Sequence, residues 1–352
     1  MERWKKMLEG ILAMGLLCGL LTGCGGRAQN PSGGKKADPP QLPEKVAALK
    51  LGDRELPVYT FTGADLPSFF EGCFAVTGEA IYGLAKKDLA NDKYEWQLLR
   101  FPYEGGRIDD GKKIAVMGND QMTTNGKEVF FWARTEKNKG DLLGIAQGEQ
   151  VSLVPRKQGE AQFRSVYGTD IAYFMAKSAL QRGKLDIQGF SAAKVLLSRA
   201  DIARMKAERN LESPHLMAAD ADGFYVRWLN KHGSRQGKNW TYSLHTYDPE
   251  GKELRVLELN QPIPQASHNH LGQVVTTRQY LGILGTFNKD KKLTGCIRLY
   301  DRKTGAYVTD LELSQIPDSH LIRNLMADGE DHLFFQVGFD KAAKSQLYRL
   351  DF

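Results

Sequence analysis

Histidine recurs at one kind of place in this chain. His215 (in SPHL), His268 and His270 (in SHNHL) and His320 (in DSHLI) each stand shortly before an apolar stretch that reads as a strand. Counting nine or ten residues back from successive apolar strands gives Asp120, Gln162, His215, His270 and Asn324 as equivalent positions. Imidazole, carboxylate and carboxamide groups converging on one point can hold a divalent metal, with His215 and His270 the leading ligands, or a polar molecule. The same groups also serve as strand-end caps that bond neighbouring loops, and both uses stay open here. Trp240 and Tyr242 flank a Gly- and Lys-rich stretch, residues 231–239, and form the aromatic pair best placed to stack on a sugar or a partner protein.

Other chemistry is excluded by pattern. There is no GxSxG, HExxH, P-loop or paired CxxC. Asp220-Ala221-Asp222-Gly223 opens like a calcium loop, but the twelfth place is Lys231, so it reads as a hairpin turn. Of four cysteines, Cys18 lies in an apolar leader and Cys24 closes it. Cys73 and Cys296 fall in non-adjacent repeats, too far apart for the roughly 7 Å that a disulfide allows, and read as buried free thiols.

The elements that position these residues repeat at an interval near 50. A turn followed by an apolar-aromatic strand occurs in six copies, at residues 76–85, 123–133, 165–176, 218–229, 274–286 and 326–338. Asn125-Gly126, Asp222-Gly223 and Asp328-Gly329 are hairpin turn pairs that supply the positive φ such turns need. After each copy comes period-two alternation on both sides of a polar-glycine turn, a half-buried hairpin. Each unit is therefore four antiparallel strands, A to D from the inside out. The aromatics Phe130, Phe131, Trp132, Tyr225, Trp228, Phe334 and Phe335 alternate within the second strands and read as core.

The last unit stops one strand short, and residues 55–62 (ELPVYTFT) supply the missing strand. The expected fold class is all-β, a six-bladed β-propeller of four-stranded antiparallel blades, its ring closed by an N-terminal strand that completes the C-terminal blade. Residues 55–352 make up this body, which resembles the TolB-like propellers of bacterial envelopes by architecture rather than by a diagnostic motif. No repeated tryptophan-aspartate ending places it among WD40 repeats. Residues 199–211 (RADIARMKAERNL) interrupt the pattern with a short helix that packs as a connector, Ile202, Met205 and Arg209 on one face.

Ahead of the body, Arg3, Lys5 and Lys6 precede an apolar run from Ile11 to Leu21, too short to span a membrane and suited to a secretory leader. Leu21-Thr22-Gly23-Cys24 resembles the bacterial lipobox. The resemblance implies a signal peptide over residues 1–23, cleavage before Cys24 and a diacylglycerol anchor on its thiol, on the extracytoplasmic face of the cell membrane. The Gly25-Gly26 pair is similar to that of Gram-positive lipoproteins. Residues 24–54 read as a tether, flexible at first and stiffened by Pro39, Pro40 and Pro43. Cleavage removes three basic and two acidic residues, taking the net charge from +6 to +5, a mild attraction for anionic surfaces.

Together these features predict a membrane-anchored binding or scaffolding module for a protein or cell-wall glycan, without a nucleic-acid partner and with no cofactor required beyond the lipid. The alternative is a metal-dependent lyase or hydrolase acting on extracellular polysaccharide or lactone, since the histidine placement resembles that of propeller lyases. A quinoprotein would need flanking motifs that are not visible.

Overall fold

The computed structural model describes residues 43–69, 73–91, 93–134, 142–155, 161–176, 179–231, 240–259, 273–289, 292–339 and 342–352. Cys24, the leader and the first part of the tether lie outside the described residues, as do His268 and His270. No described helix is long and apolar enough to cross a membrane.

Each of the six repeated apolar stretches forms a strand, and each pairs antiparallel with the strand before it and the strand after it. Three runs are separate four-stranded meanders. The first is Ala161–Ser165, Ile171–Ala176, Ala179–Asp186 and Gly189–Leu197. The second is Leu211–Asp220, Gly223–Lys231, Trp240–Tyr247 and Glu253–Glu258. The third is Val274–Thr276, Tyr280–Lys289, Lys292–Asp301 and Tyr307–Glu312. A fourth sheet joins Ile322–Ala327, His332–Phe339 and Ala342–Asp351 to the N-terminal strand Arg54–Thr60. Successive antiparallel sheets of this kind make the fold an all-β propeller.

The expectation of six separate blades needs correcting. Counted as separate sheets of blade type, the described strands give four. The remaining strands run together as one nine-stranded sheet. The cause is Lys112–Thr124, a single strand of 13 residues. Its first part, Lys112–Val116, pairs with Tyr94–Glu104, and its later part, Met117 and Met122–Thr124, pairs with Val129–Ala133. Gly118-Asn119-Asp120 continues extended, so one strand serves both sides.

The N-terminal strand closes the ring as expected, with Val58 opposite Leu350, Tyr59 opposite Arg349 and Thr60 opposite Tyr348. A further strand, Glu44–Leu51, pairs outside it across a hairpin at Gly52-Asp53. This falls within the stretch read as tether. Leu49 and Leu51 alternate into the core there, beside Leu311 and Leu313 of the preceding sheet.

All seven aromatics named above are buried. The clusters mix side chains of consecutive repeats, as where Phe224 lies against Tyr173 at 5.0 Å between ring centres. Each such ring contributes about 2–3 kcal/mol through apolar burial. The interrupting helix spans Arg199–Arg209. Ser198 accepts from the Asp201 amide and Asp201 accepts from the Ser198 amide, a reciprocal cap, and Asn210 ends the helix in a left-handed conformation. Ile202 is buried between Leu197 and Leu211, so the helix is a packed connector.

Candidate functional site

The strand register shows which residues stand level on the inner strands. Val76, Thr124, Ser165 and Thr276 are each the last paired residue before the turn, opposite Ile81, Val129, Ala172 and Leu281. Three places earlier lie Cys73, Gln121, Gln162 and Gln273. Side-chain bonds then tie Gln162 to His215 and Gln273 to Asn324. The level set is thus Cys73, Gln121, Gln162, His215, Gln273 and Asn324. Gln121 replaces Asp120 and Gln273 replaces His270. Counting from the second strand fails because the turns between the two strands differ in length. Asp120 does lie in the strand Lys112–Thr124, but its side chain is outside the described set.

Two pairs of these residues clasp neighbouring repeats together. Gln162 Oε1 accepts from the Leu216 amide at 2.8 Å, and Gln162 Nε2 lies 2.8 Å from His215 Nδ1. The amide N–H can only donate, so it fixes Oε1 towards itself and leaves Nε2–H facing His215. His215 Nδ1 is therefore an unprotonated acceptor. Its pKa is lowered, first by burial and then by the Arg227 and Arg164 guanidiniums. A dication at this imidazole would meet an occupied Nδ1 and two neighbouring cations, so His215 is not presented as a metal ligand; His270, the other candidate, lies outside the described residues. No described group of three or more His, Cys, Asp or Glu is placed to hold a metal.

The same clasp recurs two repeats further round. Gln273 Oε1 accepts from the Leu325 amide at 2.5 Å, and Gln273 Nε2 donates to Asn324 Oδ1 at 3.1 Å. Asn324 Nδ2 donates to Gln336 Oε1 at 2.8 Å, and Gln336 Nε2 donates to the Pro67 carbonyl at 2.9 Å. A one-way chain of amides thus ends on the N-terminal segment that closes the ring. Asn324 and Gln336 are fully buried, where unpaired amides would be costly.

The other candidates do not join this set. His320 sits on a single helical turn, Ser319–Leu321, ahead of the last inner strand. Trp240 begins the strand Trp240–Tyr247, and its side chain is not described. Tyr242 is part-buried, packed on the cluster that holds Tyr225 and Leu244, with the Arg227 guanidinium 5.1 Å from its ring centre. It is not the exposed stacking surface expected. Cys73 and Cys296 are buried free thiols, and burial pushes the Cys296 thiol up to about 12.

One arrangement has the distances of a nucleophile, base and acid. Ser243 Oγ lies 3.0 Å from His245 Nε2, and His245 Nδ1 lies 2.8 Å from Glu253 Oε2. Arg209 grips both Glu253 oxygens at 2.7 and 2.9 Å. Ser243 donates to Asn230 Oδ1 instead of to the imidazole, and Ser243 and His245 are only 1% and 2% exposed. Burial lowers the His245 pKa, against the upward pull of Glu253. The group binds the interrupting helix to its sheet and has no reach to a substrate. No sequence motif marks it, because the strand register across Trp240–Tyr247 and Glu253–Glu258 creates the geometry.

A central cavity of about 320 Å³ lies towards the other ends of the inner strands. Every repeat contributes to it, through Phe74, Met122, Ser165, Met217, Val275 and Met326. Its charged wall is Arg164, Asp220, Arg278 and Arg302. Arg302 is held by Asp220 at 3.1 Å and Asp222 at 2.6 Å, and Arg278 by Glu330. Sequence reasoning looked to the histidines and missed this wall, whose residues follow no motif.

No family model matches the chain, and no curated protein matches it. Solved structures do. The β-propeller domain of the Trilobed protease from Pyrococcus furiosus is similar at 12% identity and a TM-score of 0.43, over 81% of this chain and 82% of that one. A puromycin-hydrolyzing peptidase of Mycobacterium tuberculosis is similar at 10% identity and a TM-score of 0.40, over 80% of this chain and 52% of that one. At such distances the likeness carries nothing about activity, and the strand pairing remains the basis of the fold.

Proposed function

We propose that the protein is a non-catalytic binding or scaffolding module, lipid-anchored through Cys24 outside the cytoplasm. On this reading the nine-stranded sheet works as two blades that share Lys112–Thr124, making six four-stranded units around the ring. The observation that carries the reading is the clasp. Gln162, His215, Gln273 and Asn324, the groups best placed for chemistry, are spent on joining one repeat to the next. A body stiffened in this way suits the display of loops to a protein or cell-wall glycan partner.

Two measurements test it. Expressed in a bacterial host, the full chain should take up a fatty-acid label and fractionate with membranes, and Cys24→Ala should do neither. An unlabelled, released parent chain would refute the anchor. Elemental analysis of the purified chain should show no stoichiometric metal that depends on His215. One equivalent of metal, lost in a folded His215→Ala variant, would favour the metal-dependent lyase or hydrolase instead.

A further inference from the structure

We infer that one end of the ring, where second strands run into third strands, docks on an anionic membrane surface, with the central cavity at the opposite end. This deepens the anchoring reading above by naming the end that meets the lipid, and its test is run without the anchor.

The two ends of the second strands divide the charges of the ring. The six turns between first and second strands, at residues 77–79, 125–128, 166–170, 220–222, 277–279 and 328–331, hold eight acidic residues and two basic ones. They share one end: Gly78 donates to the Gly126 carbonyl and Gly168 to the Asn125 carbonyl, and Tyr167, Ala221, Thr277 and Gly329 border the cavity together. The other end reverses the balance. Its described strand termini carry Lys86, Lys87 and Lys93 in the first repeat, Arg134 in the second and Lys231 in the fourth. Lys289 and Lys292 follow in the fifth repeat and Lys344 in the last. Against these eight stand Asp88, paired with Lys86, and Asp65, paired with Lys344. Read as sequence, the residues that join those termini add seven basic and five acidic side chains. The connections from one repeat to the next lead out from the same end, at residues 68–73, 156–160, 198–210, 260–273 and 313–321, and add six basic and five acidic. Neither set reverses the excess.

Charge alone would suit any polyanion; the apolar groups at the same end favour a bilayer. Leu89 is 45% exposed and Tyr94 54%, both on the connection that carries Lys87 and Lys93. Trp96 stands edge-on to Tyr94 at 5.7 Å between ring centres, and the Lys86 ammonium lies 5.0 Å from the centre of the Tyr94 ring. Three more aromatic residues occupy strand termini at this end, Trp240 opposite Lys231, Phe287 opposite Thr294 and Phe339 opposite Ala342. Rings and leucine interleaved with lysine match the boundary between headgroups and hydrocarbon. Seven of the eight basic termini are lysine, a point charge that is drawn to a fluid field of phosphates without the fixed fork of arginine.

The direction of the first strand agrees. Glu44–Leu51 is antiparallel to Arg54–Thr60, which is antiparallel to Ala342–Asp351. The first strand therefore runs in the same direction as Ala342–Asp351, which starts beside Lys344 at the basic end. Glu44 is the terminus nearer the basic end, and Leu51 the terminus nearer the acidic turns. A tether that joins the body at Glu44 thus meets it from the basic side.

The test uses the purified full chain carrying Cys24→Ala, so that no lipid can be attached. It is sedimented with vesicles of phosphatidylcholine alone or with about 30% phosphatidylglycerol. Every variant keeps the same leader, so only differences between variants are read. The parent should prefer the anionic vesicles and release them between about 0.1 and 0.5 M salt. Lys86→Glu, Lys87→Glu and Lys93→Glu together should weaken anionic-vesicle binding about tenfold or more. Lys127→Glu, Lys252→Glu and Lys303→Glu make the same change of charge at the opposite end and should weaken it less than about threefold. All six lysines are exposed, so both triple variants should fold. Leu89→Ala with Tyr94→Ala should weaken binding several-fold at unchanged charge. The inference is overturned if the two triple variants bind alike, or if neutral vesicles bind as well as anionic ones. It is also overturned if the parent ignores vesicles and binds soluble poly(glycerol phosphate) instead. A chain without a fatty-acid label at Cys24 would lose the anchor and leave this result standing; indifference to vesicles would do the reverse.

Discussion

Replacing Gln162 by alanine tests whether the clasp is structural. The change removes the donor facing His215 Nδ1 and the acceptor for the Leu216 amide. A neutral hydrogen bond contributes about 1 kcal/mol net, and a buried N–H left without an acceptor costs about 1–3 kcal/mol. The expected loss is therefore about 3 kcal/mol, most of it from the Leu216 amide, because Leu216 is almost fully buried. Urea unfolding followed by tryptophan fluorescence reads this as a lowered midpoint at unchanged slope. Gln162→Glu provides the contrast. It keeps an oxygen for the Leu216 amide but faces His215 with a carboxylate, so the imidazole should take up a proton and its pKa should rise. The argument is refuted if Gln162→Ala lies within about 0.5 kcal/mol of the parent, the range of ordinary surface changes. His215 would then be free for a ligand after all.

Four further outcomes are expected. His215 and His245 have lowered pKa values in the fold, so the stability they give is complete above about pH 6.5 and is lost as pH falls towards those values; His245→Asn should flatten the acid arm of a urea-midpoint profile. His332 behaves oppositely: its bond to Asp328 raises its pKa, so its contribution is present below about pH 6.5 and lost as pH rises through the folded value, and His332→Ala should remove that decline. Leu56→Ala, at a 1% exposed site in the closing strand, should cost about 2–5 kcal/mol, and an unchanged unfolding midpoint would mean the ring does not need its clasp. Cys296, its thiol pushed up to about 12, should resist iodoacetamide at pH 8 until urea unfolds the chain, and Ser243 should stay unlabelled by a fluorophosphonate, labelling of either in the native state contradicting its burial.

The sequence made some parts of this fold plain and concealed others, for physical reasons. The second strand of each repeat is buried on both faces, so Phe130-Phe131-Trp132 or Phe334-Phe335 announces itself as an apolar run. The closing strand was legible because an unfinished last unit demands a partner. The outer strand Glu44–Leu51 was not, since Ala47 and Ala48 dilute the alternation that Leu49 and Leu51 complete. The continuous strand Lys112–Thr124 was hidden by turn-type residues that stay extended. The site was less legible than the fold. Which residues stand level depends on the length of each turn, and a miscount of one residue exchanges Gln121 for Asp120. The cavity wall is assembled from all the repeats, so its groups share no spacing along the chain.

The closing strand has a consequence for when the molecule becomes whole. Thr60 donates to the Leu347 carbonyl across 287 positions. Joining ends so far apart costs only about 1.5 kcal/mol more than joining ends 50 apart, because closure entropy grows with the logarithm of length. The cost in time is different. Arg54–Thr60 is made long before its partner Ala342–Asp351. Until then the early strand presents an open edge, of the kind that invites aggregation or proteolysis. A product that stops short of Ala342–Asp351 loses this pairing together with those to His332–Phe339 and Leu66–Pro67, and keeps the rest. The ring thereby reports on whether Ala342–Asp351 has been made, since a chain cut short before it is marked by an unlatched strand that proteases can grip.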